Sequence, residues 1–263
     1  MSDNTTIQGL WIGPRLSALE RLSIASFLAN GHAFHLYAYD PIDGVPEGAR
    51  VLPAGAVLPR SRIFRYTEAR YGRRPNIRST VLGPKKGSYG GFANLFRYKL
   101  LLETGGWWVD LDTVCLRPLD FAGEYGFSSE MDKGAEVADL AAIKVPARSA
   151  LAEYLFQESD NKSTEELYFG ETGPHLLGRA IAQFGLQQYV QPSSAFCPID
   201  CGEWETVLHP GGDSRIGPEA FAVHLWNEMW RRNGRDKDAA YPPDCLFERL
   251  KSRYRTRRAD RTD

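Results

Sequence analysis

Two hydrophobic periods alternate along this chain. Near its start, "IQGLWIG" is a short apolar run bounded by glycine, which predicts a buried strand. In "LSALERLSIASFLANG", Leu16, Leu19, Leu22, Ile24 and Phe27 keep helical spacing. Ser17 and Glu20 fit a capping box there, and Gly31 fits the stop. "AFHLYAYD" then predicts a second strand. Strand, helix and strand in that order predict an α/β fold with a mainly parallel sheet covered by helices.

Positions 41–59 are rich in proline and glycine and read as loop. Positions 60–86 carry nine Lys or Arg against one acidic residue, Glu68, so a mobile basic loop is expected over 60–88. It is either a solvated segment or a flap that meets phosphates or an anionic acceptor. "GFANLFRYKLLLETGG" is the clearest helix, with Phe92, Leu95, Phe96 and Leu102 on one face and Gly105 and Gly106 as its end. "WWVDLD" must then be a strand running out of the core. Alternation sends Trp107 to the core and Trp108 to a cleft.

Downstream, "ADLAAIKVP" predicts a strand, and "ARSALAEYLFQES" and "PHLLGRAIAQFG" predict helices, the second with Pro174 in its first turn. "FAVHLWNEMWRRNG" starts as a strand and turns helical after Trp226. The basic tail "KSRYRTRRADRTD" is expected to fray from about residue 254. No repeat or low-complexity linker interrupts the chain, so one domain is expected over 1–263.

A net charge of −1 gives no electrostatic argument for nucleic acid, and no such partner is expected. Cys115, Cys197, Cys201 and Cys245 have neither zinc-ribbon nor thioredoxin spacing, so free thiols in a reducing cytosol are expected. The first residues lack the basic and apolar regions of a signal peptide, and no apolar run nears the ~20 residues of a membrane span. The expected location is cytoplasmic. The basic loop and tail add an expectation of peripheral contact with anionic lipid at the inner face of the membrane.

The chemistry concentrates at Asp110 and Asp112. Two carboxylates one residue apart repel each other unless a cation lies between them. Hard oxygen ligands suit Mg²⁺ or Mn²⁺, and such an ion would neutralise a diphosphate leaving group. The pair falls at the C-terminal end of a predicted strand, the edge where open α/β sheets bind ligands.

The stretch "FRYKLLLETGGWWVDLDTVCLRPLD" closely resembles the DXD region of glycosyltransferase family 32. "LWIG…LSALERLSIASFLANGHAFHLYAYD" resembles that family's opening strand, helix and strand, "ETGPHLL" its T-G-P element, and "VHLWNEMW" its late His/Trp segment. The resemblance covers most of the chain. It implies a GT-A fold with a Rossmann-like, mainly parallel central sheet. It also implies a metal-dependent, anomer-retaining transferase using a nucleotide-sugar, with a UDP-sugar foremost and GDP-mannose the other choice.

Carried over, Asp112 would ligate the metal, and Asp110 would approach it while holding ribose or sugar. His224 would complete the metal site or touch the diphosphate. Asn94 and Arg97 would hold the donor sugar, and Trp11 would stack on the base. Tyr39, Trp108, Gly173 and Trp226 would border the donor site. Glu171 is the carboxylate to consider as nucleophile, although the resemblance favours same-face attack. Asn94 stands where the family usually has Asp, and Trp108 where Tyr is commoner; the first change bears on donor identity. A glycan, glycolipid or small-molecule acceptor is implied. Two other readings stay open: a haloacid-dehalogenase-type phosphatase, from "VDLDTV" and "GGDSR", and a non-catalytic nucleotide-sugar binder.

Overall fold

The computed structural model describes residues 6–66, 87–165 and 167–254. The chain opens with β1 (Thr6–Trp11), α1 (Ala18–Ala29) and β2 (Ala33–Ala38). Both halves of the capping box are made: Ser17 caps the first turn, and the Glu20 carboxylate accepts the Ser17 backbone N–H. Gly31 ends the helix at φ +85°, a conformation that favours glycine. The five apolar residues read at helical spacing are all fully buried.

After β3 (Arg50–Pro53) come α2 (Gly90–Thr104), β4 (Gly106–Val109) and β5 (Thr113–Cys115). A hairpin of β6 (Gly126–Asp132) and β7 (Ala135–Val145) follows, then α3 (Ala150–Asp160), α4 (Pro174–Gln183) and the short α5 (Ser193–Phe196). The chain closes with β8 (Ala222–His224), α6 (Asn227–Arg232) and α7 (Leu246–Arg253).

The main sheet has the order β3-β2-β1-β4-β7-β6. The first four strands run parallel, and β7 alone is reversed between β4 and β6. This is the mainly parallel, helix-flanked sheet expected of a GT-A fold. From β1 the chain moves outward to β2 and β3, then returns to set β4 on the other side of β1. Strand order therefore reverses between β1 and β4, and that switch opens a crevice at the strands' C-terminal ends. Trp11 closes β1, and Asp110 directly follows β4.

Apolar side chains fill both faces of the sheet. One core joins α1, β8 and α7 through residues such as Phe27, Trp107, Val223 and Phe247. The other joins α2, α3 and α4 through Phe96, Trp108, Leu155 and Leu177. Trp107 thus goes to the core as expected. Trp108 is also buried, at 2% exposure, but on the opposite face and beside the site.

Several elements depart from the sequence reading. The expected loop at 41–59 contains β3, an edge strand exposed along most of its length, so it carries no hydrophobic alternation. Neither β5 nor β6 was expected. β6 hides because its buried Ser128 is polar; the hydroxyl donates to Asp139 O at 3.1 Å and accepts from Ala142 N at 3.0 Å. α2 is buried nearly all round rather than on one face, and its Asn94, Arg97 and Tyr98 are interior. Lys251 to Arg253, the first residues of the basic segment, form the last turn of α7, before the expected fraying point at about residue 254. Positions 67–86 of the expected basic loop, and the tail from 255, lie outside the described residues. Among the described residues no helix is long and apolar enough to cross a membrane.

Candidate active site

The site starts with the turn from α2 into β4. Gly105 and Gly106 adopt φ +63° and +85°, and a β-carbon on Gly105 would lie 2.4 Å from Ala147 N. Only glycine reverses the chain this tightly, and the reversal lays the end of β4 alongside α2. Asn94 and Arg97, one turn apart, face that end.

Arg97 is 2% exposed. One guanidinium nitrogen donates to Asn94 Oδ1 at 2.9 Å, and another pairs with Asp110 Oδ1. Trp108 Nε1 donates to the same Asp110 oxygen at 2.9 Å, and the guanidinium lies 4.9 Å from the Trp108 ring centroid. Arg97 Nε is buried with no hydrogen-bond partner.

Asp112 is organised by a different pairing. β5 and β8 run antiparallel with Thr113 opposite His224. His224 Nε2 thereby comes 3.1 Å from Asp112 Oδ2. Trp226 takes a left-handed conformation, φ 56° and ψ 52°, which is costly for a bulky residue. That kink aims the Asn227 backbone N–H at Asp112 Oδ2, 2.7 Å away. The Trp226 ring lies 4.1 Å from the His224 ring, and its Nε1 donates to Ile199 O at 2.8 Å. Asn227 Oδ1 is buried beside this corner without a partner.

These surroundings separate the two carboxyls. Burial alone would raise Asp112, but the His224 charge and the hydrogen bonds from His224 and Asn227 outweigh it and hold the carboxyl below its usual value. Burial raises Asp110, with Asp112 adding to the effect and Arg97 opposing it. Burial would lower His224, yet Asp112 and the Cys197 contact hold it well above the usual imidazole value.

The remaining expected residues are arranged less closely. Gly173 precedes α4, and a β-carbon there would sit 3.1 Å from Asn94 Nδ2, so the T-G-P turn abuts the Asn94 amide. Glu171 is tied to Lys162 at 2.9 Å, and its carboxylate accepts the Tyr168 N–H at 3.4 Å. Trp11 is half-buried and donates from Nε1 to Arg15 O at 3.1 Å, with Lys237 over its ring. Tyr39 packs on Phe92 and Phe96 and donates its hydroxyl to Leu58 O at 2.8 Å.

Sequence reasoning passed over Asn227, Asp139 and Glu130, and read Cys197 only as a free thiol. Asp139 carried one signal, a charge opening the apolar run "LAAI". All four cysteines are unbridged, as expected. Burial first, then Asp139, push the Glu130 carboxyl up to about 8, with smaller contributions from Asp132 and Asp200 and opposition from His224. Folding therefore favours the protonated acid. Its contribution to stability is complete below the unfolded value of about 4.3 and is lost as pH rises through about 8. Glu130→Gln is expected to melt higher than the metal-free parent at pH 9, by on the order of a few kcal/mol, and level with it at pH 4. Calorimetric melts at the two pH values check this.

A cavity of about 530 Å³ lies at the other end of the sheet, lined by Gln8, Tyr37, Thr104 and Lys144 among others. The Lys144 ammonium is already used there, donating to Gly123 O at 2.7 Å.

No family model matches the chain, and no curated protein does. Among solved structures it is similar to the PaToxG glycosyltransferase. That pair shares 15% identity at a TM-score of 0.45, over 89% of this chain and 86% of the other. It is also similar to the apo form of the glycosyltransferase GlyE of Streptococcus pneumoniae TIGR4. The identity there is 10% and the TM-score 0.39, over 94% of this chain and 63% of GlyE. A third structure, described as a transferase, shares 10% identity at a TM-score of 0.42, over 73% and 88% of the two chains. These likenesses are distant.

Proposed function

We propose that this protein is a divalent-cation-dependent, anomer-retaining glycosyltransferase. It would take a sugar from a nucleotide-sugar, a UDP-sugar foremost, and pass it to a hydroxyl of a glycan, glycolipid or small-molecule acceptor. The observation that carries this reading is the divided carboxylate pair at the strand-order switch. Asp110 is bound to a buried arginine, while Asp112 is bound to His224 and a backbone N–H.

The residues present fit a hard divalent cation. One donor atom from each of Asp110, Asp112 and His224 lies within 4.8 Å of the others. Asn227, whose backbone N–H holds Asp112, also carries a buried side-chain oxygen without a partner. Oxygen donors with one imidazole suit Mn²⁺ or Mg²⁺. When bound, the ion would supply Lewis-acid neutralisation of the departing diphosphate.

The protein's own groups divide the remaining work. Arg97 Nε and the Asn94 amide offer hydrogen bonds to sugar hydroxyls, and Asn94 does so without adding charge. The Trp11 ring offers a flat face to a nucleobase at the end of the neighbouring strand. Trp226 and Trp108 wall the cleft and exclude water. Glu171 is committed to Lys162 and the Tyr168 N–H, which favours same-face attack over a glutamate nucleophile.

The phosphatase reading needs a late acidic motif near the carboxylate pair. Its candidate, Asp213, is engaged by Arg249 of α7. The intact Arg97–Asp110 pairing weighs against a purely binding role.

The test is a thermal-shift panel of nucleotides and nucleotide-sugars with and without Mn²⁺. One nucleotide-sugar class is expected to raise Tm only when Mn²⁺ is present, by the increment that ligand mass action gives, about 2.7 kcal/mol at a hundredfold excess over Kd. No shift with any nucleotide at millimolar concentration, with or without metal, would overturn the reading.

A further inference from the structure

Behind Asp112 lies a second donor set that shares only His224 with the proposed transfer site. Asp139 on β7, Cys197 at the end of α5 and His224 on β8 converge there, and each is nine-tenths or more buried. Cys197 Sγ lies 3.7 Å from Asp139 Oδ2 and 3.8 Å from His224 Nδ1, and those two atoms are 3.9 Å apart. The imidazole therefore faces two ways, with Nε2 toward Asp112 and Nδ1 toward a thiol and a carboxylate.

We propose that Cys197, His224 Nδ1 and Asp139 form an inner site for a thiophilic divalent cation of the Zn²⁺ class. A zinc ion with ordinary bond lengths holds tetrahedral S, N and O donors about 3.3–3.6 Å apart. The three observed separations exceed that by only a few tenths of an ångström, a closure that side-chain torsions can supply. A thiolate, an imidazole and a single carboxylate oxygen are a zinc-like donor set, not one suited to Mg²⁺ or Mn²⁺.

Charge points the same way. Asp139 is a buried carboxylate whose one cationic neighbour within ion-pair distance, among the described residues, is the shared His224. Glu130 adds a second carboxyl to this neighbourhood, and the two are held apart in charge only because Glu130 keeps its proton. A cation bound between Asp139, Cys197 and His224 relieves that crowding. The fourth tetrahedral position falls to water.

Binding forms sulfur–metal and nitrogen–metal bonds and releases two protons to solvent, one from the Cys197 thiol and one from His224 Nδ1, with no change of oxidation state. Burial holds that thiol protonated in the metal-free protein, so affinity rises with pH. Metal on Nδ1 leaves the imidazole hydrogen on Nε2, where it donates to Asp112. An ion in the inner site therefore removes His224 from the outer donor set and couples the two sites through one ring. The inner site stands whether or not the chain transfers sugar.

The test uses the full chain, stripped with a chelator and titrated with Co²⁺ as a spectroscopic stand-in for Zn²⁺. The expected result is tetrahedral cobalt absorption with a sulfur-to-cobalt charge-transfer band, saturating near one ion per chain. Zn²⁺ should abolish the band and excess Mg²⁺ should not. Cys197→Ser should lose the band, Asp139→Asn should weaken Co²⁺ binding at least tenfold, and Cys201→Ser and Asp110→Ala should keep it. The wild-type titration alone decides if a variant fails to fold. Absence of a charge-transfer band in folded wild-type protein, or its persistence in Cys197→Ser, overturns the site.

Discussion

Asp112→Asn is expected to lower kcat/KM by ~10³-fold or more and to abolish the Mn²⁺-dependent rise in Tm with nucleotide-sugar. The substitution keeps an oxygen for the Asn227 N–H, so the Trp226 kink survives and the variant stays folded. What it removes is the charge. Asp112 is the carboxylate held below its usual value and so fully ionised, whereas Asp110 spends its charge on Arg97.

The same variant carries a pH signature. The raised His224 contributes stability that is complete below its unfolded value of about 6.5 and lost as pH rises through its folded value. The lowered Asp112 contributes stability present above about 3.9 and lost as pH falls through its folded value. Wild type should therefore exceed Asp112→Asn most between those limits, and the two should converge in acid. Urea titrations across pH, beside steady-state kinetics with and without Mn²⁺, measure both effects. A variant with undiminished Mn²⁺-dependent donor affinity would remove Asp112 from the site.

Arg97→Met is the second large effect. Its side chain is 3% exposed and holds Asn94, Asp110 and the Trp108 face together. Breaking a buried pair leaves its partner uncompensated, at a cost of ~3–5 kcal/mol. Asp110 keeps 31% of its side chain in solvent, so screening moves the expected loss to the lower end, about 3 kcal/mol. Asp110 then faces Asp112 without its cation, and its carboxyl should rise further. Arg97→Lys should recover part of the stability but little activity, because an ammonium cannot make the guanidinium's forked contacts to Asn94 and Asp110. In a double-mutant cycle with Asp110→Asn, a coupling energy near zero would deny the pair any role in the fold.

Local pattern carried much of this protein. The Ser17–Glu20 box, the five apolar positions of α1 and the Gly105–Gly106 break each encode an element through contacts a few residues apart. The same is true of Asn94 and Arg97 on one helix face, and of Asp110 and Asp112 beyond an apolar strand. Such signals survive in one dimension because their partners are near in sequence. The short strands did not survive. β3 and β5 hold four and three residues, and β6 buries two serines, Ser128 bonded to the next strand and Ser129 donating its hydroxyl to Gln191 O.

Local spacing is enough to specify the α/β class, the helix that carries Arg97 and the position of the aspartate pair at a strand end. What each aspartate does follows from contacts between distant segments. Asp112 meets His224 across 112 residues, and Cys197 meets Asp139 across 58. Those meetings depend on strand register and on a left-handed kink at Trp226, neither of which leaves a hydrophobic period to read. A charge's role is set by what is brought within a few ångströms of it, and here that is settled only when distant strands pair.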